Sequence, residues 1–241
     1  MTGPLALVGG DELKPGNEPH DRLLATAAAD GPAFVLATAA ARQGPELAVE
    51  NATAWFEGLG LAVRELPVLR RTDARSNEVA ALASTGRFFY LVGGDPGLVV
   101  SVLRDTPVWE AIVAAWRRGA AIGGSSAGAM AMGEWTLIRD RWPSHTARRY
   151  LDALRVVPRT AVLPHYNSFG HRWIPSARAA APAEDVVLLG IDERTAAVWD
   201  GRLWLATGAG TVTVIGLEGE QRFPPGQSLQ GLPDPRGVTA R

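Results

Sequence analysis

The chain has no cysteine. That absence removes thiolate catalysis, disulfide staples and cysteine metal sites together, and leaves the redox compartment open. Excess charge is also missing: 24 Lys and Arg stand against 25 Asp and Glu, a formal net charge of -1, with no basic run. Neither nucleic acid nor an anionic membrane surface is therefore expected as main partner; a small molecule is. No apolar run approaches the ~18 residues of a membrane span. The N-terminal stretch MTGPLALVGGDELK lacks a basic segment leading into a long apolar one, so no secretory signal is expected and the cytoplasm is the default location. Histidine is scarce, at four residues, which keeps the search for a base short.

What is present is a chain of 241 residues with apolar and charged positions spread evenly, as expected of one domain over 1–241. Short apolar runs at Leu5 to Val8, Ala33 to Thr38, Leu61 to Leu66 and Arg87 to Val92 read as strands. Between them, Asn17 to Ala29, Glu46 to Leu59 (Leu47, Trp55 and Leu59 inward) and Asn77 to Ser84 read as helices. A further helix opens with the Thr106 cap and Pro107. This alternation predicts an α/β fold, a mostly parallel sheet with helices on both faces. Gly133 to Pro158 reads as an irregular surface excursion with local ion pairs around Arg139, Asp140 and Arg141. Thr160 to Leu163 and Val186 to Ile191 read as further strands, with a helix over Trp173 to Ala181. The remainder reads as a small antiparallel C-terminal extension.

In open parallel sheets chemistry collects outside the carboxyl ends of the strands. Gly124-Ser125-Ser126-Ala127-Gly128 lies at such an end and spells G-x-S-x-G, a serine on a tight strand-to-helix turn that only small neighbours permit. The five residues alone fit a plain small-residue turn equally well. Read functionally, Ser126 is the nucleophile, and the amide of Ala127 faces a developing oxyanion. Gly93-Gly94 ends another strand and offers Gly94 as a second donor.

A serine hydroxyl needs a base, and the base needs a group to fix its tautomer. His165 ends a strand on the Ser126 side and is the preferred base, with His171 as a substrate contact or a surface residue; His20 and His145 are expected to be solvated. Glu193 sits where the apolar run VVLLGI meets Asp-Glu, and is favoured as the orienting acid over Asp140, which ordinary ion pairing explains as well. No histidine follows His171, so the Ser, acid, His order of α/β-hydrolases is not met. No metal or cofactor is expected.

Four separated blocks, VGGDP at Val92 to Pro96, GSSAGA at Gly124 to Ala129, LPHY at Leu163 to Tyr166 and GIDERTA at Gly190 to Ala196, resemble the cyanophycinase and aspartyl dipeptidase (dipeptidase E) family of serine peptidases. The resemblance implies a class I glutamine amidotransferase-like fold, Ser126 as nucleophile, His165 as base and Gly94 with Ala127 as oxyanion hole. It leaves the third member open between Glu193 and Asp140. A small peptide or isopeptide substrate, aspartyl or β-aspartyl, is the leading expectation, with Asp95, Asn167, His171 and Arg172 as its candidate contacts, and the resemblance implies a homodimer. Pro96 stands where the cyanophycinases carry glutamine, and Leu163-Pro164 where they carry Asp-Gln. The competing reading is a non-catalytic paralogue that binds a small ligand in the same crevice.

Overall fold

The computed structural model describes residues 2–28, 31–140 and 143–237. The expected helix end at Ala29 and the expected ion-pair member Arg141 lie outside the described residues. The chain runs β1 (Leu5–Val8), α1 (Glu18–Ala28), β2 (Ala33–Leu36), α2 (Pro45–Gly58), β3 (Arg64–Glu65), α3 (Arg71–Ala74), α4 (Asn77–Ser84) and β4 (Phe88–Leu91). It continues through α5 (Pro96–Leu103), α6 (Pro107–Arg117), β5 (Ala121–Ser125) and α7 (Ala127–Met132). The second half holds β6 (Trp135–Arg139), β7 (Arg148–Asp152), β8 (Thr160–Leu163), α8 (Ile174–Ala179) and β9 (Val187–Ile191). It closes with β10 (Thr195–Trp199), β11 (Trp204–Gly208), β12 (Val212–Gly216) and β13 (Gly219–Phe223).

The main sheet has the order β11-β10-β1-β5-β4-β2-β3, parallel from β1 to β3, with β10 and β11 added antiparallel at one edge. Its inner strands β1, β2, β4 and β5 are buried on both faces because helices cover both. In β4 the period-2 alternation sends Phe88 and Tyr90 to one side, where both meet the edge of Phe56 from α2. Phe89 goes to the other side, stacked on Phe34. Each such fully buried ring contributes about 1.5–3 kcal/mol relative to exposure. The α2 face is built from Ala52 and Phe56, with Trp55 and Leu59 packed alongside, while Leu47, expected inward, is 60% exposed.

Four segments differ from the sequence-based expectation, the first being the strand read over Leu61 to Leu66, which is confined to Arg64–Glu65 at the sheet edge. Asp95 and Pro96 do more than break β4: the Asp95 carboxylate accepts from Gly97 and Leu98 amides and Pro96 takes the first turn, so α5 begins there. The region 133–158 contains an antiparallel hairpin, β6 against β7, with Trp135 edge-on to Tyr150 and Leu137 buried. Arginines at its loop end, Arg139, Arg148 and Arg149, mask the alternation in the sequence. Finally, β8 and β9 pair with each other, and β9 with β12, in a second sheet of order β13-β12-β9-β8 rather than joining the main one.

Backbone hydrogen bonds tie the second sheet to the main sheet's carboxyl rim. His165 N donates to Gly9 O (2.6 Å) and Arg194 N to Gly10 O (2.9 Å), while Tyr166 N to Ile191 O (3.0 Å) extends the pairing of β8 with β9 and Gly9 N to Thr195 O (2.9 Å) that of β1 with β10. Segments far apart in sequence thereby share one edge.

Candidate active site

β5 delivers Ser126 into a turn with φ 47° and ψ −109°, a conformation that a non-glycine residue holds only where its surroundings impose it. The turn is pinned by Ser126 N to Val8 O (3.0 Å) and by Met130 N to Ser126 O (2.9 Å). Packing explains the flanking glycines. A Cβ on Gly128 would lie 2.3 Å from Leu91 O, and one on Gly124 would lie 2.8 Å from Gly128 C. Gly94 has φ +143°, and a Cβ there would meet Ala39 O at 2.3 Å. The amides of Gly94 and Ala127 have no backbone partner among the described residues.

His165 also has a positive φ, 48°, and its carbonyl collects the amides of Ser168, Phe169 and Gly170 at 3.0, 2.9 and 2.9 Å. This tight turn folds Phe169 back onto the imidazole, ring centres 5.0 Å apart and 20° from parallel. Gly10 also packs against the ring, where any Cβ would come within 2.3 Å of it. So held, Nε2 lies 3.1 Å from Ser126 Oγ and Nδ1 lies 2.8 Å from Glu193 Oε1. The His165 and Glu193 side chains are 21% and 28% exposed, open to a ligand yet partly screened from bulk water.

The Asp-Glu pair that ends β9 divides its labour. Asp192 Oδ2 accepts the Thr211 amide within the second sheet, while Glu193 turns to His165. Asn167, expected at the substrate, accepts the Glu193 amide at 3.1 Å and so holds the acid loop. Asp95, also expected there, caps α5. His171 Nδ1 stands 2.8 Å from Tyr166 O, and its ring lines a 340 Å³ cleft over the second sheet with Asp192 and Arg222. Arg172 is exposed on the turn that carries Phe169, and Asp140 is exposed at the end of β6.

His20 corrects the expectation of a solvated residue. It is fully buried, between Asn17 (3.1 Å) and Thr207 (3.4 Å), and burial pushes its imidazole down to about 3. Beside it Asp21 accepts Trp55 Nε1–H at 2.8 Å, and desolvation pushes its carboxyl up to about 7. His145 is exposed, as expected. Asp11 is held below the usual carboxylate range by its hydrogen bond to Lys14, with Arg194 3.2 Å away.

Sequence reasoning missed Glu12. Its half-buried carboxylate accepts Gly93 N–H on Oε1 and Ser125 O–H on Oε2, both at 2.9 Å. The signal was available: like Glu193, it is an acid just beyond an apolar strand at the functional rim. Among the described residues no group of three or more His, Asp and Glu is arranged to hold a metal, and no helix is long and apolar enough to cross a membrane.

A serine on a strained turn, in line with an imidazole and a carboxylate at the open rim of a three-layer α/β fold, defines a serine-type hydrolase class. The family model of peptidase family S51 matches residues 5–203. The chain belongs to that family and is a serine-type peptidase. Among curated relatives, a cyanophycinase of Trichormus variabilis is 31% identical over 219 residues, covering 87% of this chain and 72% of that protein. A cyanophycinase of a Nostoc species shows the same figures, 31% over 219 residues. A crystal structure of a peptidase from an acI-B1 actinobacterium superposes with a TM-score of 0.81 at 30% identity, covering 95% of this chain and 97% of that one.

Proposed function

We propose that the chain hydrolyses a peptide or isopeptide bond on the carbonyl side of an aspartyl or β-aspartyl residue, through an acyl-enzyme on Ser126. The observation that carries this reading is the unbroken line Ser126 Oγ, His165 Nε2, His165 Nδ1, Glu193 Oε1, at 3.1 and 2.8 Å. Ser126 Oγ attacks the scissile carbonyl as its proton passes to Nε2. The oxyanion accepts from the Gly94 and Ala127 amides, which have no competing backbone acceptor. The imidazolium then protonates the leaving amine, and water, deprotonated by the same ring, releases the acyl group. Glu193 accepts Nδ1–H throughout, so Nε2 begins each half-reaction as an acceptor. Asp140 has no part in this scheme.

Membership of the peptidase family and the cyanophycinase relatives support peptide chemistry; the aspartyl preference extends their likeness to this chain. Arg172, exposed beside the turn bearing Phe169, is the residue we assign to the substrate carboxylate. The test is turnover of a panel of Asp-X dipeptides, β-aspartyl isopeptides and matched peptides without aspartate. Cleavage of an aspartyl substrate is expected, with Ser126→Ala lowering the rate by ~10⁴-fold or more while the fold persists. Turnover confined to peptides without aspartate overturns the substrate class, and a fully active Ser126→Ala overturns the nucleophile.

A further inference from the structure

Glu12 joins three segments of the rim with one carboxylate. It sits in the loop after β1, takes the amide of Gly93 in the loop after β4, and takes the hydroxyl of Ser125, the last residue of β5. Its partners lie 81 and 113 positions away in sequence. Both bonds are charge-assisted, which makes them roughly twice as strong as neutral ones. The neighbouring Asp11, not Glu12, takes the ion pairs with Lys14 and Arg194.

These bonds bracket the two amides that face the reacting oxygen. On one side Gly93 N–H is fixed by Glu12 and Asp95 N–H by Ala39 O at 2.9 Å, so the Gly94 amide lies between two anchored neighbours. On the other side Ser125 is fixed by the same carboxylate and Ser126 N–H by Val8 O at 3.0 Å, immediately before the Ala127 amide. Gly93 and Gly94 lack side chains of their own to hold this loop, and Gly94 sits at φ +143°. A glycine pair of that freedom needs an external anchor to keep one peptide orientation.

We propose that Glu12 is the positioning residue of the oxyanion site, locking the Val92–Gly93 peptide to Ser125 so that the Gly94 and Ala127 amides converge on one point. The proposal rests on the reading of Ser126 as nucleophile given above. Glu12 does not touch the reacting atoms, and its negative charge opposes the developing oxyanion. Its use is the bridge and not the charge. Glutamine keeps the bridge, since its carbonyl can accept from Gly93 N–H and its amide can donate to the Ser125 oxygen.

The experiment compares wild type, Glu12→Ala, Glu12→Gln and Glu12→Asp, the last one methylene short of spanning both donors. Readouts are kcat and KM on the best substrate of the aspartyl panel, and the rate of Ser126 labelling by a fluorophosphonate. Folding is checked by circular dichroism. Glu12→Ala is expected to lower kcat and the labelling rate together by about 10²-fold, the scale of a lost oxyanion donor, with KM little changed. Glu12→Asp follows it and serves alone if Glu12→Ala does not fold, while Glu12→Gln restores most of both rates. Wild-type rates in folded Glu12→Ala or Glu12→Asp overturn the proposal. So does an equal loss in Glu12→Gln and Glu12→Ala, which would assign the effect to charge, and so does a loss confined to KM. A wild type that neither turns over nor labels is a different failure, that of the nucleophile reading itself.

Discussion

Gly10→Ala tests the geometry of the site without changing any of its functional groups. Gly10 has φ +106°, and an added Cβ would stand 2.3 Å from His165 Cε1 and 2.5 Å from Nε2. Carbon atoms in contact sit at about 3.5 Å or more, so the ring must retreat by roughly 1 Å or the loop must move by as much. Nε2 now lies 3.1 Å from Ser126 Oγ; a retreat of that size breaks the hydrogen bond. Loss of a positioned base costs ~10²- to 10⁴-fold, about 3–5 kcal/mol of transition-state stabilisation.

The backbone strain of alanine at this φ adds a stability cost of about 1–3 kcal/mol, which a control must separate. Gly16→Ala provides it: its φ is +108°, yet its Cβ would meet nothing closer than Arg194 Cβ at 3.4 Å. Both variants are expected to melt lower than wild type. Only Gly10→Ala should lose fluorophosphonate labelling of Ser126 and substrate turnover. A folded Gly10→Ala that labels at the wild-type rate refutes the reasoning, as does an equal loss in Gly16→Ala.

Glu193→Gln is expected to lower kcat by roughly 10²- to 10⁴-fold, because glutamine can favour the wrong imidazole tautomer, whereas Asp140→Asn should leave kcat unchanged; the reverse pattern returns the acid's role to Asp140. Gly128→Ala, whose Cβ would lie 2.3 Å from Leu91 O, should lose ~2 kcal/mol or more in urea denaturation. Gly58→Ala, in open space in α2, should gain about 0.5–1 kcal/mol, and a matching loss in both would refute the packing argument. His20 and Asp21 predict a pH signature. Buried His20 stays neutral down to about 3 while its unfolded form takes a proton below 6.5, so stability falls as pH drops through that window. Asp21 keeps its proton up to about 7 while its unfolded form loses it above 3.8, so its effect runs the other way and nearly cancels the first. Asp21→Asn should unmask the histidine, with stability falling by about 3 kcal/mol from pH 6.5 to pH 4; a flat urea-midpoint profile in that variant refutes it.

The features legible in the sequence were local ones. Leu5 to Val8 and Phe88 to Leu91 announce buried parallel strands by being apolar on both faces, and the glycines around Ser126 announce a turn that nothing larger could make. Candidate side chains at strand ends could be named because strand ends are marked by an abrupt change of residue type. α5 was missed although Asp95-Pro96 carries a cap signal, since Gly93-Gly94 before it reads as a plain break.

What the tertiary structure alone decided is which of these ends meet. The placing of β8 and β9 in a second sheet, the backbone bonds that bring His165 to Gly9, and the choice of Glu193 rather than Asp140 beside Nδ1 all depend on pairings between distant segments. The same holds for the burial of His20 and for Glu12 reaching Ser125 across 113 positions. Periodicity reports how one segment divides between core and solvent. Such pairings are set by how sheets and loops close on one another, and no single segment carries that information.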